Sequence, residues 1–370
     1  MKIKDLAIRC CRYQDAVVEG AAMRDGIDQN GLEFLVYTVT TESGLSASMF
    51  GFAGRSALGA GHLAASSLRP FLLGRNILER ERAWLDWRTT NRWWHHLPIY
   101  SYGPVDCCLW IASALAAEQP LWRYLGGARE QVPVYASSLV LESEESYAKE
   151  AKAVQTAGLK AYKIHPPGKN YAQDLDIHRA VREAVGPDFT LMSDPVQPYT
   201  LEEAVRFGRE LEAMNYLWLE EPLPDEAFSA LRELTRVLDI PIVGTEVLAA
   251  HPYSLAECVA TRVVDAVRAD VSWTGGVSGV MKSAALAQSF HMNCEIHTAI
   301  FYPLELVNLH INGAIGHSTY FELLWPREIF DFGLTAPLPI KDGIATLPTK
   351  PGLGIELDWD FIDNVTFATL

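Results

Sequence analysis

The sequence predicts an α/β protein: a modified (β/α)8 barrel, also called a TIM barrel, preceded by a smaller α+β domain. Three observations predict it. From Val132 onward, short apolar runs alternate with polar stretches of helical periodicity, as in repeated strand–helix units around a parallel sheet. The residues before Val132 lack this rhythm. Acidic residues end three successive runs at equal intervals, which suits neighbouring barrel strands.

The N-terminal part combines strand and helix patterns. Residues 2–10 and 34–40 alternate between apolar and polar side chains, which predicts strands of an antiparallel sheet. From about residue 64 to residue 127 the pattern is helical, and it ends at a Gly-Gly pair. This part is therefore expected to be α+β.

Seven apolar runs follow, with an eighth near residues 319–323, and eight strands suit a (β/α)8 barrel. The seven runs are VPVYAS, KAYKIH, DFTLMSD, NYLWLEE, IPIVGTE, VDAVRAD and MNCEIH. A doubly wound sheet is the alternative architecture. It is disfavoured because no Gly-x-Gly-x-x-Gly motif follows any of these runs.

Three strand ends carry a carboxylate: Asp194, Glu220 and Glu246 lie 26 residues apart (194 to 220, 220 to 246). The carboxyl ends of barrel strands converge on one face, so these charges would crowd together. A hard divalent cation would relieve the repulsion, and carboxylate oxygens suit Mg²⁺. Alternation alone does not decide whether Glu220 or Glu221 belongs to this group, although the two lie on opposite faces of their strand.

The flanking strands carry groups that can move a proton. Lys163 and His165 share one face of the second strand, and the sixth and seventh strands end at Asp270 and His297. A carboxylate beside a histidine fixes its tautomer and raises its basicity. Glu322, on the eighth strand, could donate a hydrogen bond if it is protonated. A cation flanked by two bases is what abstraction of a proton α to a carboxylate requires.

Together these residues resemble the enolase superfamily, specifically its mandelate racemase subgroup. The segment PVDCCLWIASALAAEQPLWRYLGG resembles that family's helix leading into the barrel, WLEEPL resembles its fourth-strand motif, and TGGVSG resembles the turn after its dyad aspartate. The resemblance covers nearly the whole chain. It implies a capping domain over residues 1–125, a barrel over residues 126–340, and a C-terminal segment, residues 341–370, that returns to the cap.

The resemblance also implies roles for the site residues. The first glutamate of Glu-Glu-Pro is the family's ligand, which selects Glu220. His165 stands where the subgroup commonly has the second lysine of Lys-x-Lys, a base. The implied assignments are Mg²⁺ as cofactor with ligands Asp194, Glu220 and Glu246, a His–Asp dyad of His297 and Asp270, and catalytic Lys163, His165 and Glu322.

The function implied is a Mg²⁺-dependent dehydratase of acid sugars. It would remove the proton α to the carboxylate, form an enediolate, and eliminate the 3-hydroxyl to give a 2-keto-3-deoxy acid. A racemase or epimerase, or a cycloisomerase of sugar lactones or anhydro sugars, would use the same intermediate. Residues 20–28 and 49–55 resemble the loops that close over the site in the family. Met49, Phe50 and Arg55 are the expected substrate contacts.

Composition limits the remaining classes. The net charge of −15 argues against nucleic acid or an anionic membrane as a partner. The six cysteines form no Cys-x-x-Cys motif, no signal peptide is recognisable, and a cytoplasmic protein is expected. A homo-oligomer is also expected. A non-catalytic binding barrel is the alternative of another class. A metal-dependent hydrolase is disfavoured because VPVYAS lacks His-x-His.

Overall fold

The computed structural model describes residues 1–13, 31–248 and 252–370. In chain order its strands are β1 Ile3–Tyr13, β2 Leu32–Thr41, β3 Ser46–Phe52, β4 Gln131–Ser137, β5 Ala161–Ile164, β6 Thr190–Ser193, β7 Leu219–Glu220, β8 Ile242–Gly244, β9 Ala266–Ala269, β10 Asn293–Ile296, β11 Phe321–Leu324, β12 Ile340–Lys341, β13 Ile344–Thr346 and β14 Thr366–Thr369. Its helices are α1 Ala57–Leu72, α2 Arg80–Thr90, α3 Ile99–Ala116, α4 Leu121–Tyr124, α5 Glu144–Thr156, α6 Tyr171–Val185, α7 Leu201–Ala213, α8 Phe228–Val237, α9 Leu255–Ala260, α10 Gly276–Ser289, α11 Tyr302–Ala314 and α12 Trp359–Val365.

The N-terminal sheet is antiparallel, with strand order β14–β1–β2–β3. Its first strand pairs with the last one of the chain, Cys10 opposite Ala368, so the C-terminus returns to this domain. Helices α1 and α3 cover the sheet and bury its apolar face. The predicted antiparallel α+β domain is confirmed.

Eight parallel strands form the second sheet, paired in the order β10–β9–β8–β7–β6–β5–β4–β11. Its two ends meet where the Cys294 amide donates to the His317 carbonyl at 2.8 Å. One helix, α5 to α11 in turn, lies between each consecutive pair of strands. After β11 comes a 3-10 turn, Arg327–Ile329, and then the hairpin β12–β13, which pairs with β4. The predicted modified barrel is confirmed.

Inside the barrel, an apolar layer lies beneath the strand ends. Six inward side chains form this layer, each from a barrel strand or from the residue just before one: Tyr135, Ala161, Met192, Trp218, Val243 and Ala266. Because side chains alternate along a strand, the residue two positions later on each strand also points inward, one level higher. Lys163, Asp194, Glu220 and Arg268 occupy that higher level. The apolar layer thus forms the floor of a charged layer.

The cap docks on the barrel through closely packed glycines. A Cβ at Gly103 of α3 would stand 2.5 Å from the Val271 carbonyl oxygen, so only glycine allows this approach. Gly275 and Gly276, at the start of α10, both have φ in the left-handed region (87° and 85°). Asp106 accepts hydrogen bonds from the Ser278 amide (2.8 Å) and hydroxyl (2.7 Å). These contacts hold the loop after β9 against the cap.

Two further features bear on the sequence predictions. The six cysteines are all buried free thiols. Among the described residues, no helix combines the length and the apolar character that a bilayer crossing needs.

Candidate active site

The strand ends bring the predicted site residues together at the mouth of the barrel. Lys163 is completely buried, and its Nζ lies 3.0 Å from Asp194 Oδ2, 3.0 Å from Glu220 Oε1 and 2.9 Å from Glu322 Oε1. A lysine inside the barrel, rather than on its rim, follows from its place two residues after the floor residue Ala161. Strands β5, β6, β7 and β11 therefore converge on one cation.

A second buried cation, Arg268, lies opposite Lys163. Its Nε is 2.8 Å from Glu220 Oε1, and its Nη2 contacts Glu322 Oε2. Lys163, Glu220, Arg268 and Glu322 thus form a closed ring of alternating charge, which we call the charge ring. Arg268 was not among the predicted site residues, although alternation in VDAVRAD places it on the same face as Asp270.

The charge ring sets the ionisation of its members. Burial alone would lower the pKa of Lys163, but Glu220 and Glu322 hold it well above its ordinary value. Burial alone would raise the pKa of Glu322, but Lys163 and Arg268 hold it well below its ordinary value. Glu322 is therefore an ionised acceptor in this arrangement. Its role as a hydrogen-bond donor, which needs a protonated carboxyl, stays a prediction.

Glu220 and Glu221 point to different places. Glu220 is on the inner face with Trp218, whose Nε1 donates to its Oε2 at 3.1 Å. Glu221 has a left-handed backbone (φ 39°) and turns toward the mouth. There its Oε2 accepts from Gln197 Nε2 at 3.0 Å, and its Oε1 accepts from the Glu246 amide at 3.3 Å. Glu220 is thus paired with two cations, whereas Glu221 lies near other carboxylates.

Negative charge around Glu246 is only weakly compensated, by Arg268 Nε at 4.0 Å from its Oε2. Burial, then the charges of Glu221, Asp194 and Glu220, raise the pKa of Glu246 well above its ordinary value. Burial and neighbouring acids, Asp225 and Asp194, do the same to the pKa of Glu221. The buried Glu246 Oε2 accepts no hydrogen bond from any residue that the structure describes, although His297 Nε2 lies 3.3 Å away.

These carboxylates suit a divalent metal ion by their chemistry. They supply only oxygen donors, which Mg²⁺ prefers, and a buried oxygen without a hydrogen bond is available for it. As arranged, no three His, Cys, Asp or Glu side chains within the described ranges form a group that could hold a metal. One physical reason is that the Lys163 ammonium is bonded to both Asp194 and Glu220.

His297 and Asp270 form a close pair. His297 Nδ1 lies 2.5 Å from Asp270 Oδ2, and Asp270 Oδ1 accepts from the amides of Ser272 and Trp273 (2.5 and 2.9 Å). The carboxylate accepts a hydrogen bond from Nδ1–H, and Nε2 faces the site, 3.3 Å from Glu246 Oε2. The His297 side chain keeps 15% exposure, enough to be reached from the mouth.

His165 approaches the site from a distant strand. Its Nδ1 lies 2.6 Å from the Ser138 carbonyl oxygen, which can only accept, so Nδ1 carries a proton. Its Nε2 lies 2.9 Å from Asp194 Oδ2, and its side chain is 18% exposed. Strands β5 and β10 are nearly opposite in the eight-strand ring. Two histidines therefore flank the carboxylates, each with its Nε2 toward them.

A buried polar group behind His297 also escaped the sequence analysis. Asn308 of α11 donates to the His297 carbonyl (3.0 Å) and accepts from the Val271 amide (3.3 Å), so it ties together the ends of β10 and β9. Glu305, one turn earlier, accepts from the Thr298 hydroxyl at 2.5 Å. Both residues lie in a helix that is apolar on most sides, and no strand-end pattern marks them.

The three cap residues that were expected to contact the substrate differ in their exposure. Met49 and Phe50 are fully buried in the cap core, where Phe50 stacks on Phe34 with centroids 4.9 Å apart. They offer no surface to a ligand: adjacent residues of β3 point to opposite faces of the sheet, and both of these side chains are covered. Arg55 is exposed. The loop predicted over residues 20–28 lies outside the described residues.

The fold and site define a capped (β/α)8 barrel with acidic, lysine and histidine side chains at its strand ends. Comparison with known proteins supports this description. The family model described as "Enolase C-terminal domain-like" matches residues 146–361. The chain belongs to this family, within the enolase superfamily, and it is an enzyme of the mandelate racemase type.

Several relatives act on acid sugars. The chain is 30% identical over 263 residues to an arabinonate dehydratase of Saccharolobus solfataricus, covering 70% of each chain. It is 30% identical over 346 residues to a 3,6-anhydro-alpha-L-galactonate cycloisomerase of Streptomyces coelicolor, covering 90% of this chain and 88% of the relative. The crystal structure of a D-glucarate dehydratase from Agrobacterium tumefaciens, complexed with magnesium, is similar over the full length of both chains, with a TM-score of 0.88 and 29% identity.

Proposed function

We propose that this enzyme is a Mg²⁺-dependent acid-sugar dehydratase. The observation that carries the proposal is the pair of histidines, His165 and His297, that flank a crowded set of carboxylates with their Nε2 atoms directed inward. A dehydratase of this kind needs a base for the α-proton and an acid for the leaving hydroxyl. The arabinonate and glucarate dehydratases among the similar proteins support the same reaction class.

We assign the metal to Asp194, Glu220 and Glu246, with Glu221 as the competing ligand on the fourth strand. When bound, Mg²⁺ would supply positive charge against the negative charge that develops on the substrate carboxylate. The raised pKa of Glu246 and its unsatisfied oxygen support a cation at this position. Binding there would compete with Lys163 for Asp194 and Glu220.

The chain's own residues would perform the proton transfers. One histidine Nε2 takes the proton from the carbon next to the carboxylate, and the other Nε2 lies on the opposite side to protonate the departing 3-hydroxyl. Asp270 holds His297 in the required tautomer, and the Ser138 carbonyl does so for His165. Lys163 offers a fixed positive charge beside the site. The configuration of the substrate at C2 decides which histidine is the base.

Cycloisomerisation is the second candidate. The specific observation in its favour is the match to the anhydrogalactonate cycloisomerase, which spans nearly the whole of both chains. The α-proton would leave in the same way, but the bond broken would join C3 to the ring oxygen. That oxygen would take a proton and become a hydroxyl, so the product would be an isomer and no water would be lost.

Proton NMR in D₂O tests the proposal. The protein and Mg²⁺ would be incubated with aldonic and aldaric acids, their lactones and anhydro sugar acids. A 3-deoxy product carrying one deuterium, with one water lost, supports the dehydratase. An isomeric ring-opened product supports the cycloisomerase, and a changed C2 configuration alone would identify an epimerase.

Variants would tie the signal to the site. His297→Asn and His165→Gln should each lower the rate of α-proton exchange. His291→Asn is the matched control: His291 is exposed at the end of α10, and Asn tolerates its left-handed backbone (φ 58°). Absence of α-proton exchange across the whole panel would contradict the proposal.

A further inference from the structure

An aromatic cluster joins the cap to the loops that follow the dyad strands. Phe52 at the end of β3 lies 4.9 Å from Trp273 and 5.1 Å from Phe301 between ring centroids. Tyr100 at the start of α3 lies 5.5 Å from Trp273, edge to face. Phe301 is fully buried, whereas Phe52, Tyr100 and Trp273 are each half-buried. We call the three half-buried rings the aromatic wall.

Trp273 of the aromatic wall, and Phe301 behind it, lie close in the chain to the dyad residues. The Trp273 amide donates to the Asp270 carboxylate at 2.9 Å, so this indole begins three residues from the dyad aspartate. Phe301 follows His297 by four residues and packs behind Phe52. The cap strand β3 brings Phe52 to the same side of the barrel mouth. The aromatic wall therefore joins the cap to the loop after β9, which begins at the dyad aspartate.

The chemistry of the wall selects its ligand. An aromatic face attracts C–H groups and excludes water, and it offers no charge to pair with an anion. A carboxylate pressed against it would lose its hydration without a partner. Tyr100 adds one hydroxyl that could bond to a sugar oxygen. An uncharged chain or ring of sugar carbons suits this surface, and a second carboxylate does not.

We infer that the substrate is a monocarboxylic sugar acid, whose uncharged distal end packs through its C–H face on Phe52, Tyr100 and Trp273. This inference rests on the proposed function and narrows its substrate class from acid sugars in general to aldonic acids and their ring-closed forms. Arg55 is the described cap residue that could favour a diacid instead. It is exposed, however, and a solvated ion pair contributes little.

A matched pair of substrates tests the inference. The acid that the NMR panel shows to react fastest is compared with its analogue in which only the distal group differs, hydroxymethyl in one and carboxylate in the other. We expect kcat/KM to favour the monoacid by about 100-fold or more, because the diacid would bury an unpaired charge. A diacid that reacts equally well or better would overturn the inference and leave the proposed function standing.

The Trp273→Ala variant tests the role of the wall itself. Its main-chain bond to Asp270 is kept, since only the amide makes it. We expect KM for the monoacid to rise about tenfold with kcat changed less than about threefold, because binding common to ground and transition states is lost. The preference over the diacid should also fall at least about threefold.

The control is Trp94→Ala, since Trp94 is 82% exposed and lies outside the wall. It should leave both constants within about twofold of the parent. Equal effects of the two variants would overturn the assignment of the wall. A panel in which no acid exchanges its α-proton would refute the proposed function, and the inference would fall with it.

Discussion

Replacing Arg268 should lower the free energy of unfolding substantially. It is fully buried, and its guanidinium contacts Glu220 and Glu322, both of which are also fully buried. Arg268→Met keeps most of the side-chain volume and removes the charge. Three carboxylates, those of Asp194, Glu220 and Glu322, would then share the single charge of Lys163. Breaking a buried ion pair by removing one partner costs about 3–5 kcal/mol of unfolding free energy. We expect a loss in this range at pH 7.

The loss should depend on pH. The folded-state pKa of Glu322 lies below its unfolded value, so its ionisation contributes stability above the unfolded pKa, and this contribution is lost as pH falls through the folded pKa. Without Arg268 that contribution shrinks. The difference between parent and variant should therefore be largest near pH 7 and should shrink as the pH falls below the unfolded pKa of glutamate, about 4.3.

Guanidinium unfolding at several pH values measures this difference. Arg262→Met is the matched control, because Arg262 makes an exposed i,i+3 pair with Asp265. The control should cost less than about 1 kcal/mol. A cost of the same small size for Arg268→Met, or one that does not change with pH, would refute the charge ring as described.

Three further predictions concern the site. Asp194→Ala should lose Mg²⁺ binding in calorimetry, and unchanged binding would show that the ligand assignment is wrong; Glu220→Gln and Glu221→Gln, compared in the same titration, identify the ligand on the fourth strand. His297→Asn should lower the turnover rate about 10²- to 10⁴-fold, while circular dichroism stays unchanged, and full activity would exclude the dyad role. Burial raises the pKa of Glu305 to about 8, so its carboxyl lowers native stability as pH rises from about 5 to 8; Glu305→Gln should gain stability relative to the parent over that window, and a pH-independent difference would contradict the raised pKa.

The barrel and most of its charged layer could be predicted from the sequence for a simple reason. Each strand–helix unit has a similar length, so strand ends recur at regular intervals, and residues at strand ends meet at one face. Asp194, Glu220 and Glu246 share that interval, and the structure does bring their strands together. Alternation within each strand then determines which side chains point inward, and Arg268 follows from the same rule.

Contacts made from outside the strands could not be derived in this way. From helix α11, Asn308 reaches the His297 carbonyl and Glu305 reaches Thr298 in the loop after it, and the Ser138 carbonyl reaches His165 from the loop after β4. Their roles depend on how the helix packs on the barrel, which no local pattern encodes. Met49 and Phe50 are the converse case: a resemblance in loop position suggested contact with the substrate, whereas both faces of β3 are covered at these residues and both side chains are buried.

The balance of charge at the mouth explains where a cation is needed. Lys163 and Arg268 together match the charges of Glu220 and Glu322 within the charge ring, and the pKa of Glu322 is correspondingly low. Glu246 receives only weak compensation, from Arg268 Nε at 4.0 Å from its Oε2, and the pKa values of Glu246 and of its neighbour Glu221 are raised. Two adjacent buried carboxylates must either bind protons or bind a cation. A divalent ion held by Glu246 would supply the missing charge, and His165 and His297 already contact carboxylates of this group.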